Sequence, residues 1–194
     1  MVLSRLGAVA ADRKIGVEPS GEAFNEISVD ARRRPRNPMI NAGAIMSASL
    51  LLPPVRDVAE SVIVSAFAEI VDFYSACAGR RLTMDEAVYT SESRTGSRNR
   101  AIAYMLDSFG TLDTSPDAAL DLYYRQCSIR VTTDDLAVIA ATIANGGLNP
   151  RTGRHVFNQE VAQRVLSVMT TCGMYDGCLL YTSDAADASL RVGL

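Results

Sequence analysis

The residues with the most chemical potential in this chain lie in four short polar stretches set between apolar runs. In the first, Pro35-Arg36-Asn37-Pro38-Met39-Ile40-Asn41-Ala42-Gly43-Ala44-Ile45, an amide is placed among aliphatic neighbours. Leaving that amide buried and unpaired would cost about 1–3 kcal/mol, so Asn41 needs a definite partner. Pro35 and Pro38 bias the residues before them toward extended backbone, and Gly43 allows a close approach, as in a loop feeding a helix. Asn41 then either caps that helix or meets a ligand. The second stretch, Ser91-Glu92-Ser93-Arg94-Thr95-Gly96-Ser97-Arg98-Asn99, pairs a carboxylate with an amide. In one continuous helix Glu92 and Asn99 would stand about 10 Å apart, too far to share one small group. A break at Thr95-Gly96 brings them together, and the pair then suits a zwitterionic amino acid: the carboxylate accepts from an ammonium and the amide donates to a carboxylate. The plainer reading is a helix cap with surface ion pairs.

The third and fourth stretches, Asp121 to Ile129 and Thr171 to Asp176, each carry a tyrosine, Tyr123 and Tyr175, among small or apolar neighbours. Such a ring packs in a core while its hydroxyl reaches a polar partner. Both tyrosines read first as interfacial core residues and, alternatively, as phenols that orient a substrate or relay a proton from a nucleophile.

Helical elements must position these groups. Residues 2–14 read as one modest helix, Glu18-Pro19-Ser20-Gly21 as a turn, and Arg32-Arg33-Arg34 as solvated loop. Asp57 to Ala78 repeats Val58, Val62, Ala66, Ile70 and Phe73 at helical spacing, with Gly79 placed to end it. Thr83-Met84-Asp85-Glu86 has the form of a capping box that would start the helix bearing Glu92. A further helix carries Ile102, Met105, Leu106 and Phe109 on one side. Ser115-Pro116-Asp117 combines an N-cap residue, a first-turn proline and a first-turn acid, and starts a helix through Gln126. Thr132-Thr133-Asp134-Asp135 opens a helix so apolar that it is expected at the centre of the core, and a last helix covers 159–169. The expectation is a predominantly α chain.

With 48% hydrophobic and 21% charged residues and a net charge of −3, neither disorder nor a polyanionic partner is indicated, so no nucleic acid is expected. The four cysteines lack metal-ligand spacing and His155 has no neighbouring ligand set, so no metal or other cofactor is expected and reduced cytoplasmic thiols are. No 18-residue apolar run stands out, so no membrane partner is expected either.

Taken together, the motifs resemble those of the serine-dependent glutaminases. They are Glu-Pro-Ser-Gly at 18–21, Pro-x-Asn-Pro-Met-x-Asn-Ala-Gly-Ala at 35–44, Ser-Glu-(x)6-Asn at 91–99 and Asp-x-Tyr-x-x-Gln-Cys-Ser-Ile at 121–129. Ala-Asn-Gly-Gly at 144–147 and Cys-Gly-Met-Tyr-Asp at 172–176 follow. The resemblance runs from Gly16 to Gly177. It implies an α+β fold like that of the β-lactamases and transpeptidases, of which this chain covers mainly the helical part. It also implies hydrolysis of L-glutamine to L-glutamate and ammonia through a serine acyl-enzyme, in a homo-oligomer. Asn41, Glu92, Asn99, Tyr123 and Tyr175 would contact glutamine, Tyr175 also serving as proton relay.

The chain departs from that pattern in one respect. The nucleophile of such enzymes sits in Ser-x-x-Lys, where the amine helps deprotonate the hydroxyl. Lys14 is the one lysine here, and Ala11 stands three residues before it. Neither Ser-x-x-Lys nor Lys-Ser-Gly occurs. The expectation is therefore a domain over 1–177 cut at both ends. Residues 178–194 resemble the conceptual translation of a sequencing-library adapter rather than native sequence, although 191–194 could be genuine. Two alternatives stand beside this reading: a fragment of a β-lactamase or penicillin-recognising enzyme, for which no Ser-Asp-Asn or Lys-Thr-Gly speaks, and a non-catalytic helical interaction module.

Overall fold

A computed structural model describes residues 1–173; Tyr175 and the 178–194 segment lie outside the described residues. The order is α1 (Val2–Leu6), α2 (Ala8–Lys14), α3 (Asn41–Ser49), α4 (Glu60–Ala78), β1 (Thr83–Met84), α5 (Glu86–Thr95), α6 (Ser97–Ser108), α7 (Pro116–Cys127), β2 (Ile129–Arg130), α8 (Thr133–Ala144) and α9 (Gln159–Cys172). The described chain is mostly helical, as expected.

The centre of the core is α7. It begins where Ser115 accepts from the Ala118 N–H with Pro116 in the first turn. Ala118, Ala119, Leu120, Leu122, Tyr123 and Tyr124 are all buried along it, and it packs against α3, α4, α5 and α6. From α3 come Ala42, Ile45 and Met46, from α4 Ile63, Ala66 and Ile70, and from α6 Ile102, Ala103 and Leu106. The central place expected of α8 therefore belongs to α7. In α8 only Asp135, Val138 and Thr142 are buried, while Leu136 is 54% exposed. Polar bonds tie α8 to the α4 end: Thr142 donates to the Cys77 carbonyl at 3.0 Å, and Asp135 accepts from Arg80.

Local chemistry explains the other differences from expectation. The 2–14 helix is broken at Gly7, whose φ of 77° is a conformation that glycine adopts without steric cost. The long helix starts at Glu60, three residues after Asp57, so Val58 precedes it. Thr83 does not form a capping box, because its backbone pairs with Arg130 in a two-stranded antiparallel ladder. Asp85 caps α5 instead, its carboxylate accepting from Ala87 N at 3.0 Å and Val88 N at 3.1 Å. Nor is the arginine run simply solvated. Asp30 accepts from the Arg32 and Arg34 backbone N–H groups, and its carboxylate pairs with the Arg34 side chain at 2.7 Å, closing a turn in which Arg33 has φ 61°.

Contrary to the expectation of no such apolar run, α4 is 19 residues long with a mean hydropathy of 1.5 over an 18-residue stretch, long and apolar enough to cross a membrane by length and composition. It packs as a core helix against α7 and α8, and its outer side carries the Arg5–Glu69 and Asp72–Arg81 ion pairs.

Candidate functional site

Asn37, not Asn41, governs the entry to α3. It is fully buried, donates from Nδ2 to the Glu18 carbonyl at 2.8 Å, and accepts on Oδ1 from Met39 N at 3.0 Å and Ile40 N at 3.3 Å. An Asn ahead of a proline can close such a local turn and satisfy the amides that precede a helix. Asn41 is the first helical residue, and Ile40 at the cap position makes no side-chain cap bond. The Asn41 side chain is thus available for a long-range contact, and its Nδ2 donates to Asn99 Oδ1 at 2.9 Å. The close approach that places α3 here needs Gly43, since a Cβ there would run into the Asn37 carbonyl and lie 2.7 Å from the Pro38 Cα.

Glu92 and Asn99 sit on different helices. The break comes at Gly96 (φ −74°, ψ 37°), whose N–H bonds the Glu92 carbonyl at 3.0 Å and whose carbonyl accepts from the Tyr124 hydroxyl at 3.0 Å. A side chain at Gly96 would collide with that hydroxyl. The break between the helix of Glu92 and the helix of Asn99 is therefore held by α7.

Tyr123, on the same helix, is 8% exposed, and its ring lies 5.7 Å from that of Tyr124. Cys127 stands one turn further along the same helix. Burial pushes the Tyr123 phenol far above its ordinary value, and nearby Cys127 and then Glu92 add to the shift. The phenol accordingly stays protonated and acts as a hydrogen-bond donor at physiological pH. The Cys127 thiol is also raised, chiefly by burial, with Glu92 contributing and the nearby Tyr123 hydroxyl opposing.

Of the expected site residues, Asn41 and Asn99 are joined by a hydrogen bond, and Glu92 lies near enough to Tyr123 to raise its phenol; Gly96, bonded to Tyr124, separates the helices that carry Glu92 and Asn99. Tyr175 lies outside the described residues. The one lysine is structural: Lys14 pairs with Asp113 at 2.7 Å and donates to the Thr111 carbonyl at 3.2 Å. A cavity of about 220 Å³ lies away from these site residues, lined by Val2, Ile15, Met39, Val165 and Met169, with the Asp12–Arg164 ion pair at its wall. Among the described residues no group of three His, Cys, Asp or Glu side chains could hold a metal. The sequence reading passed over Asn37 as a structural anchor and gave Arg98 no role; the Asn-Pro dipeptide was the available signal for the first.

The glutaminase family model matches residues 1–185. The chain belongs to the glutaminase family. It is 48% identical to Glutaminase 2 of Bradyrhizobium diazoefficiens over 176 residues, 91% of this chain and 27% of that protein. The glutaminase of Trichormus variabilis is 43% identical over 84% of this chain and 47% of its own length. Among solved structures, Mglu in its glutamate form superposes with a TM-score of 0.84 at 42% identity, covering 94% of this chain and 41% of that one. The probable glutaminase of Bacillus subtilis gives 0.84 at 32% identity, covering 94% and 57%. This glutaminase-family chain therefore spans roughly a quarter to three-fifths of the length of these relatives.

Proposed function

We propose that this chain is the glutamine-recognising helical part of an α+β, β-lactamase-like glutaminase that converts L-glutamine and water to L-glutamate and ammonia. The observation that carries the reading is the Asn41–Asn99 bond. It occupies the Asn99 carbonyl and leaves the Asn99 N–H₂ to donate to a carboxylate, while the Asn41 carbonyl remains an acceptor. Glu92, half-buried, would receive the α-ammonium, and the protonated Tyr123 phenol would donate to substrate oxygen. Tyr175 would stand beside the nucleophile and relay its proton. These are the groups an amino acid carrying a side-chain amide requires.

In the proposed reaction a serine oxygen attacks the side-chain amide carbon, the C–N bond breaks, and ammonia leaves with a proton. Water then cleaves the ester to release glutamate and restore the serine. The 194 residues supply no Ser-x-x-Lys for this, so we assign them recognition and orientation, not nucleophilic attack. The names of the relatives support glutamine as substrate. Cys77, Cys127 and Cys172 stand as thiols, which suits a cytoplasmic setting, and a homo-oligomer is proposed by family likeness alone. The test is calorimetric titration of the chain with L-glutamine: binding that Glu92→Gln weakens by about tenfold or more supports the reading, and equal affinity in both proteins refutes it.

A further inference from the structure

Arg98 precedes Asn99 in the first turn of α6, yet its side chain reaches back to a segment 73 residues earlier: Nε donates to the Asn25 carbonyl at 2.9 Å. The guanidinium also lies 3.7 Å from Glu26. The segment it grips is a tight turn, with Glu26 N bonded to the Ala23 carbonyl at 3.0 Å. Its apolar side chains are partly exposed, Phe24 by 49% and Ile27 by 37%. Within this turn the Phe24 carbonyl accepts the Asn41 backbone N–H at 2.8 Å. Asn41 in turn bonds Asn99. The contacts therefore close a ring: Asn99 to Asn41, Asn41 to Phe24, along the chain to Asn25, Asn25 to Arg98, and Arg98 to Asn99 through the peptide bond.

We propose that Arg98 is a positioning residue for the site. By holding the Ala23–Glu26 turn against α6, it fixes the carbonyl that receives the Asn41 N–H and so sets the orientation of the Asn41–Asn99 pair. The link to substrate rests on the glutamine-binding reading; the link to the amide pair does not. Stability alone is a poor explanation for this contact. The Arg98 side chain is 61% exposed, and ion pairs so exposed contribute little. What the guanidinium supplies is geometry, a directed N–H toward a backbone carbonyl.

The experiment uses the full 194-residue chain with Arg98→Met, which keeps the stem, Arg98→Lys, which keeps a donor, and Arg94→Met, which removes an exposed charge from the neighbouring helix. Arg98→Met is expected to shift the Asn41 side-chain amide resonances toward those of a solvated amide. It should also weaken L-glutamine binding about tenfold, with a change in thermal midpoint no larger than that of Arg94→Met. Arg98→Lys should recover most of the affinity and the parent resonances. Unchanged Asn41 resonances in Arg98→Met, or an equal effect from Arg94→Met, would overturn the proposal. If Arg98→Met fails to fold, Arg98→Lys decides: parent-like resonances support the ring, and solvated-type ones oppose it. Because the resonances need no ligand, a failure of the substrate reading, seen as Glu92→Gln leaving glutamine affinity untouched, is distinguishable from a failure of Arg98 as a positioning residue.

Discussion

Asn41 and Asn99 are 58 positions apart in the chain and joined by one amide–amide hydrogen bond of 2.9 Å, the first residue of α3 donating to the first turn of α6. The direction of that bond decides what the pair presents outward. In Asn41→Asp the donor becomes an acceptor, so the Asn99 amide must turn and donate to it, directing its carbonyl where the N–H₂ had been. We predict that this near-isosteric change weakens glutamine and glutamate binding by about tenfold. Titration calorimetry of the two proteins checks it, and matching affinities would show that the amide orientation does not matter.

The approach of α3 to the preceding loop depends on Gly43. In Gly43→Ala the added methyl meets the Asn37 carbonyl and Pro38, backbone atoms that cannot rotate away. The expected loss is about 1–3 kcal/mol of unfolding free energy, measured by urea denaturation. A loss under half a kcal/mol would mean that the loop and helix separate easily.

How much of this was legible in the sequence depended on the range of the interaction. The start of α7 was readable because Ser115, Pro116 and Asp117 act within one turn, and the α5–α6 break because Gly96 lies between two periodic runs. The same local pattern misled at Thr83, where pairing with Arg130, 47 positions later, took the backbone into a ladder. Hydrophobicity misled at α8, because apolar composition does not reveal which face a helix buries: Asp135 faces inward and Leu136 outward. The motif residues Asn41, Glu92, Asn99 and Tyr123 were visible as types in order. The Asn41–Asn99 bond and the Arg98 grip join distant segments and have no local signature.

Acid sensitivity should follow from Asp135. Its carboxyl is held well below the ordinary 3.8, first by the Arg80 guanidinium and then by Thr132, and it is buried at the start of α8. A depressed native value means that the unfolded chain takes up the proton first. This contribution is fully present above pH 3.8 and is lost as the pH falls below it toward the native value. In Asp135→Asn the thermal midpoint at pH 7 should drop by several degrees, and the fall between pH 4 and pH 2.5 should be shallower than in the parent. Parallel curves for the two proteins would remove Asp135 from the account.

Because the 194 residues hold Lys14 in a pair with Asp113 and supply no Ser-x-x-Lys, we predict no ammonia release from L-glutamine by this chain above the uncatalysed rate. Loss of even one oxyanion donor typically costs about 10²–10³ in rate, and the nucleophile matters at least as much. Lys14→Met should change stability and nothing in the ammonia assay. Turnover would demand a nucleophile other than the one proposed.

The most direct test of the account compares L-glutamine with its analogue lacking the α-ammonium, each titrated against the parent chain and Glu92→Gln. If Glu92 receives the ammonium, the parent prefers L-glutamine by about tenfold or more and Glu92→Gln loses most of that preference. A preference of the same size in both proteins, or none in the parent, would contradict the assignment of this cluster as the glutamine site.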